Sequence, residues 1–195
     1  MGRVMRRQVD PRSRRTLAKL DAAMLELLRD RPLGEINVSQ LCRVAGIHRT
    51  TFYKHYSSVT EFAAAAFATW IDGLAPPVEG EPPATPPELI AAYEDTLTAM
   101  LDHIAGQRHM YRRLFAADGD VGFQRIVLDV LAVRAGEAHR RLAGAGRSID
   151  LDEDTAARMV GGASAAALAA WAAGEGTDAR GHARAVMAAL PPWWR

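Results

Sequence analysis

The 195-residue chain has one cysteine, Cys42, so no internal disulfide can form and there are too few thiols for a cysteine-based zinc site. Lysine is nearly absent, with only Lys19 and Lys54 among 24 basic residues. Beside the abundance of alanine, that scarcity reads as genomic base composition rather than mechanism. The longest mainly apolar stretch, 159–173, is built from Ala and Gly, and is too short and too weakly hydrophobic to span a bilayer. The N-terminal arginines are followed by no apolar signal-peptide core. The expected setting is therefore the reducing cytoplasm, with no membrane partner. The sequence has no phosphate-binding Walker loop, no Gly-x-Ser-x-Gly elbow and no His-Glu-x-x-His pair. We accordingly expect no enzyme, no catalytic residue, no cofactor and no metal. Glu137-Ala138-His139 and Asp152-Glu153-Asp154 are accounted for by solvation and by charge complementarity at a helix start. There is also no sustained period-two run of β-branched residues, so the expected fold class is all-α.

Charge is unevenly spread. Residues 1–60 hold 12 basic and 5 acidic side chains, whereas residues 61–195 hold 12 and 18. A basic first third on an acidic remainder is the electrostatic layout of a DNA-binding head on a separate body. A solvated arm carrying Arg3, Arg6 and Arg7 accounts for only part of the excess.

Residues 1–10 read as a flexible basic arm. A helix is expected from Pro11, with Leu17, Leu20, Ala23, Met24, Leu27 and Leu28 on one face, ending before Pro32. Asn37 and Gln40 have capping-box spacing for a second helix, which Gly46 closes. A third is expected over 49–56. Ser58 and Glu61 start a fourth, with Phe62, Ala66, Phe67 and Trp70 on one stripe. Six of the ten prolines fall between Pro76 and Pro87, which predicts a linker over 74–87 between a head of residues 11–73 and a body of residues 88–195. Body helices are expected at roughly 88–105, 107–117, 121–143, 152–173 and 178–190.

Two short helices joined by a Gly-containing turn and packed on a longer first helix describe a helix-turn-helix. Leu41, Ala45, Ile47 and Phe52 supply its apolar contacts, and Arg49, Thr50 and Thr51 put donors at the start of the second short helix. The stretch Leu41-Cys42-Arg43-Val44-Ala45-Gly46-Ile47-His48-Arg49-Thr50-Thr51-Phe52-Tyr53-Lys54-His55-Tyr56 resembles the DNA-binding signature of the tetracycline-repressor (TetR) family. Arg15-Thr16 and Ile36-Asn37-Val38 upstream are also similar. The likeness covers about residues 12–70.

The resemblance implies that Ser39 touches phosphate and that Arg49, Thr50 and Thr51 face the major groove, where an arginine pairs with guanine. It further implies that Tyr53 and His55 meet the DNA backbone, with His48 and Lys54 alongside, and that Phe52 and Tyr56 are buried. An alternative for Tyr53 and His55 is closure of the head's core, and Cys42 reads best as a small core residue. One departure stands out, since Val59 occupies the position where the family usually has a phosphate-contacting lysine. Thr60 or the first N–H groups of the fourth helix can substitute.

For the body, the resemblance implies a homodimer through the last two helices, with Gly162, Ala163, Ala166, Ala170, Trp171, Val186 and Leu190 at the interface. A dimer suits a palindromic operator, because one short helix reads few base pairs. The bland alternative for these small residues is an intramolecular core. The family also implies a small-molecule effector held among the central helices. Trp70, Tyr93, Met100, His103, Met110, Phe115 and Phe123 are its candidate lining, with Tyr111 and His109 nearby; plain core packing is the alternative for each. The whole points to a dimeric regulator of transcription, usually a repressor in this family, with double-stranded DNA as partner. Its rivals are an enzyme without a known motif, a nonspecific architectural DNA binder, and a ligand-binding scaffold that has lost DNA function.

Overall fold

In a computed structural model, which describes residues 11–74, 85–116, 121–147 and 150–194, the periodic stretches are helices and no described residue lies in a strand. The helices are α1 (Pro11–Leu28), α2 (Val38–Ala45), α3 (Arg49–Phe52), α4 (Val59–Leu74), α5 (Pro86–Gly106), α6 (Arg108–Phe115), α7 (Val121–Gly144), α8 (Glu153–Ala173) and α9 (Ala179–Ala189), with a single 3-10 turn at Leu33–Glu35 before α2. The expected basic arm and residues 75–84 of the expected linker lie outside the described residues. Among the described residues no helix is long and apolar enough to cross a membrane.

The chain divides into two compact units, Met1–Phe62 and Ala63–Arg195. The division falls inside α4 rather than after residue 73. Val59 and Phe62, on the first turn of α4, are buried in the first unit, whereas Phe67 and Trp70 contact Phe123 and His103 in the second. Two of the linker prolines also turn out to be helical. Pro86 and Pro87 open α5, where a missing N–H costs nothing. Glu88 accepts hydrogen bonds from the Thr85 N–H (2.8 Å) and hydroxyl (2.9 Å), fixing that start.

The first unit is built on the apolar face of α1, with Leu20, Ala23, Met24 and Leu28 buried together with Leu33, Ile36, Leu41, Cys42, Ala45 and Phe52. In the second unit, α7 and α8 approach so closely that a Cβ on Gly161 would stand 2.6 Å from the Ala132 backbone. Arginines on α6 close the far end of α8. The last carbonyls of a helix have no partner within it; here Arg108 donates to that of Trp171 and Arg112 to that of Ala172, and the two arginines also hold the carbonyls of Gly174 and Gly176 just past the helix end. The Arg108 guanidinium lies 5.2 Å from the centre of the Trp171 ring, and the indole N–H donates to the Leu101 carbonyl at 2.8 Å.

Six aromatic side chains of this unit form a closed ring of contacts. Its centroid separations are 5.3 Å for Phe67–Trp70, 4.6 Å for Trp70–His103 and 5.7 Å for His103–Tyr111. Tyr111–Phe115 follows at 6.1 Å, Phe115–Phe123 at 5.5 Å and Phe123–Phe67 at 6.3 Å. Within it, the Tyr111 hydroxyl (3.1 Å) and the Gln107 amide (3.3 Å) both reach Nε2 of His103. Burial lowers the His103 pKa and raises that of Tyr111, so both are neutral near pH 7.

Two outcomes are expected. Gly161→Ala should lower stability by about 1–3 kcal/mol, despite a helix-propensity gain of about 1 kcal/mol, because its methyl meets backbone. Gly136→Ala, whose nearest neighbours would be 3.5 Å away, should be neutral or stabilising, and thermal unfolding distinguishes the pair. Since the unfolded His103 binds a proton more readily than the folded one, stability contributed there is full above its ordinary value of 6.5 and is lost as pH falls through that value toward the lower folded one. Denaturant titrations at pH 7.5 and 5.5 should show a smaller loss for His103→Gln than for the unsubstituted protein.

Candidate nucleic-acid interface

The helix-turn-helix is set by local chemistry on both sides of its turn. Asn37 Oδ1 accepts from the Gln40 N–H at 2.9 Å, and Gln40 Oε1 accepts from the Asn37 N–H at 3.0 Å, the expected capping box. At the other end of α2, Gly46 takes φ 64° and ψ 40°, a left-handed conformation that a side chain would oppose. The Gly46 N–H bonds the Arg43 carbonyl and the Ile47 N–H bonds that of Cys42, which ends the helix and turns the chain into α3.

The third helix is shorter than the expected 49–56. The helix ends at Phe52 and residues 53–55 are turn, although the Tyr56 N–H still bonds the Phe52 carbonyl at 3.0 Å. Phe52 has no exposed surface and meets Phe62 at 6.2 Å and Tyr56 at 5.8 Å, while Tyr56 meets Phe62 at 5.1 Å. With Phe52 turned inward, its polar neighbours face out. Ser39, His48, Arg49, Thr50, Lys54 and His55 are exposed, Thr51 is half-buried, and Tyr53 is 57% exposed. Exposure of Tyr53 and His55 overturns the alternative that they close the core. Cys42 is buried, and burial pushes its thiol pKa up. Arg49 Nη1 donates to Ser39 Oγ at 3.3 Å, linking the two short helices.

An open groove of about 560 Å³ lies beside these residues, between the start of α2 and the start of α4. Leu33, Ile36 and Val59 supply apolar lining, and Asn37, Ser39, Tyr53, Ser57, Ser58 and Thr60 supply polar groups, with no lysine or arginine among the lining residues. Val59, at the position of the missing lysine, is core and is 7% exposed. The Glu61 N–H donates to Ser58 Oγ at 3.0 Å as expected. The Glu61 carboxylate, however, reaches one residue further than a capping box requires and accepts from the hydroxyl and N–H of Ser57. Those bonds, the hydroxyl's foremost, hold its pKa below the ordinary carboxylate value. Ser57 was not singled out by sequence reasoning; its only signal is the doubled serine ahead of Glu61.

The candidate effector residues divide. Trp70, His103, Phe115 and Phe123 belong to the aromatic ring, and Met100 and Met110 are buried. Tyr93 does not join them. It lies ten residues before His103 on α5, about 15 Å along a helix, and packs with its ring 5.6 Å from that of Trp194, tilted by 31°, instead. Phe67 takes part in the ring without having been predicted to; it stands one turn before Trp70 on the same apolar stripe. His109 is exposed. Of the candidate interface residues, Ala163, Ala166 and Ala170 are exposed and Gly162 and Val186 are half-buried. Trp171 and Leu190 are corrections: each is 5% exposed and packs inside the chain. The indole's bond to Leu101 draws Trp171 inward, and Leu190 lies with Ala183 and Met187 on the buried side of α9 and its end.

No protein-family model matches the sequence, and no curated protein does. Solved structures do match. A Rhodococcus protein assigned to the TetR family of transcriptional regulators aligns with TM-score 0.60 and 17% identity, over 90% of this chain and 98% of that one. The fatty acid degradation regulator FadR from Bacillus halodurans aligns at 0.57 and 13%, over 89% and 93%. The dihydroxyacetone kinase operon activator DhaS aligns at 0.56 and 16%, over 88% and 91%. The helix-turn-helix unit and the helical body together give this chain the fold of the TetR-family transcriptional regulators.

Proposed function

We propose that the chain is a sequence-specific DNA-binding regulator of transcription that acts as a homodimer on a palindromic operator, and represses where that operator overlaps a promoter. The observation that carries this reading is the split around Phe52. Its ring is wholly buried, while Arg49, Thr50, Tyr53, Lys54 and His55 around it stand exposed on a helix-turn-helix. Arg49, Thr50 and Thr51 read base edges; His48, Tyr53, Lys54 and His55 meet the backbone. In the groove between α2 and α4, hydroxyls and the α4 N–H groups replace the lysine absent at Val59.

The dimer face differs from the one expected of the last two helices. The buried residues of α9 are turned into its own chain, whereas α7 and α8 leave apolar side chains uncovered: Leu128 is 41%, Val133 61% and Met159 49% exposed. Ala163, Ala166 and Ala170 extend the Met159 row along α8 at helical spacing. Apolar surface of this kind beside small residues favours pairing of α7 and α8 with the same helices of a second copy. An effector is read at the ring around His103 and Tyr111, where a polar pair stands among aromatic faces and Trp70, Phe115 and His103 are only half-buried. A ligand there releases DNA only to the extent that it binds the DNA-incompetent conformation better.

Selection from a random duplex library, at physiological salt with nonspecific competitor, should recover a palindrome. Arg49→Ala should then cost about 1–3 kcal/mol at one base pair of each half-site, and Lys54→Ala should weaken all sequences alike and reduce the salt slope by about 1. Binding without a preferred motif, vanishing as salt rises, would leave only an architectural role. Met159→Glu with Ala166→Glu should give a folded monomer in sedimentation and lose most operator affinity; a variant that remains dimeric would place the interface elsewhere.

A further inference from the structure

Arg49 occupies the first position of α3, where the helix's own positive end opposes a cation. It is exposed, so packing does not require it there. Its guanidinium Nη1 donates to Ser39 Oγ at 3.3 Å across the turn, between residues ten apart in sequence. Ser39 is the second residue of α2, and its hydroxyl is not needed for capping, because Asn37 and Gln40 close the box between themselves. Cys42, one turn further along α2 from Ser39, also feels the Arg49 charge. The guanidinium is thus laid along one face of α2, with Ser39 as its hydrogen-bond acceptor. Since the Gly46 turn fixes α2 against α3, a bond between the two helices sets the direction of the arginine relative to the whole head.

We propose that Ser39 is a positioning residue whose hydroxyl holds the Arg49 guanidinium in the orientation from which it reads a base edge, so that Ser39 governs sequence discrimination without touching a base. The inference rests on the DNA-binding reading above and differs from the family-based expectation, in which Ser39 itself contacts phosphate. An arginine samples many rotamers when free, and one already oriented loses less freedom on reaching its base. That advantage applies only where the base is the one the held orientation fits, so it appears as discrimination rather than as general affinity.

The test uses the full chain as the unsubstituted protein, Ser39→Ala, Ser39→Thr, Arg49→Ala and the Ser39→Ala/Arg49→Ala pair. Each is titrated with the selected operator and with operators altered one base pair at a time. In the DNA-free protein, NMR relaxation of the Arg49 Nε–H, assigned by its disappearance in Arg49→Ala, reports how firmly the side chain is held. Ser39→Ala should loosen Arg49 and reduce discrimination three- to tenfold, about what one exposed hydrogen bond supports. The loss should fall at the base pair whose discrimination Arg49→Ala abolishes, should not add to that of Arg49→Ala, and should be restored by Ser39→Thr. Equal weakening on every sequence that persists in the Arg49→Ala background would overturn the proposal in favour of a phosphate contact. Tighter operator binding by Ser39→Ala would overturn it in favour of a latch that DNA must break. An unsubstituted protein with no preferred sequence defeats the DNA-reading proposal itself, and this inference with it; unchanged Arg49 order in Ser39→Ala defeats the inference alone.

Discussion

A helix of four residues cannot sustain itself in water, where isolated helices need roughly 12–15 residues to be even marginally stable. α3 (Arg49–Phe52) therefore exists only because Phe52 is buried. The ring is held edge-on by Phe62 and tilted by Tyr56, and the left-handed Gly46 delivers the chain to it at the required angle. Once that side chain is fixed inward, the exposure of Arg49, Thr50 and Tyr53 follows from helical and turn geometry. The surface presented by the head is thus a consequence of one buried aromatic residue.

In the second unit the corresponding constraint is the approach of Gly161 to the Ala132 backbone. Two helices that meet backbone to backbone leave no room for a side chain at the contact, which accounts for Gly161 within the Gly- and Ala-rich α8. The same composition weakens the burial each residue can contribute, and the helix end is held by other means. Arg108 and Arg112 satisfy the Trp171 and Ala172 carbonyls at the end of α8 and the glycine carbonyls just beyond it, and the Trp171 indole N–H donates to Leu101. Gly176 lies against the Trp171 ring so closely that a Cβ there would meet its Cζ3 at 2.5 Å. Trp171 is therefore a keystone of the chain's own core.

What was legible in the sequence was whatever is decided locally. The Asn37–Gln40 box, the Gly46 turn and the apolar face of α1 each depend on residues a few positions apart, and each is found where spacing places it. The Pro86–Pro87 pair reads as a breaker by composition alone, whereas Thr85 and Glu88 turn it into a helix start. Trp171, Leu190 and Tyr93 failed for a different reason. Helical periodicity says which side chains share a face but not what covers that face: Leu101 and Trp194, which meet Trp171 and Tyr93, are distant in sequence, and Leu190 falls on the buried side of α9 at its end. The third helix is shorter than its sequence suggests because aromatic spacing over 52–56 fits a helix and a ring-packed turn equally well. In the candidate interface, the exposed set was legible because it is the complement of a buried one. The Ser39–Arg49 bond and the Ser57–Glu61 clasp were not, since neither residue type demands its partner.

The charge layout gains a finer meaning from these placements. The basic excess of residues 1–60 suggested DNA from electrostatics alone, yet the groove between α2 and α4 has no cation in its lining, and Glu61 keeps a carboxylate at the α4 start. On the DNA-binding reading, contact at that groove is made by neutral donors, whose bonds are directional and release no counterions. Exposed cations such as Arg49 and Lys54 stand on α3 and the turn after it. The two kinds of contact then do separate work: cations supply salt-dependent attraction, and hydroxyls and N–H groups fix the register at which α3 meets the bases. A lysine at Val59 would have merged the two. With Val59 in the core instead, that edge of the head, on the same reading, aligns rather than attracts, and Arg49 is the point where charge and sequence reading coincide.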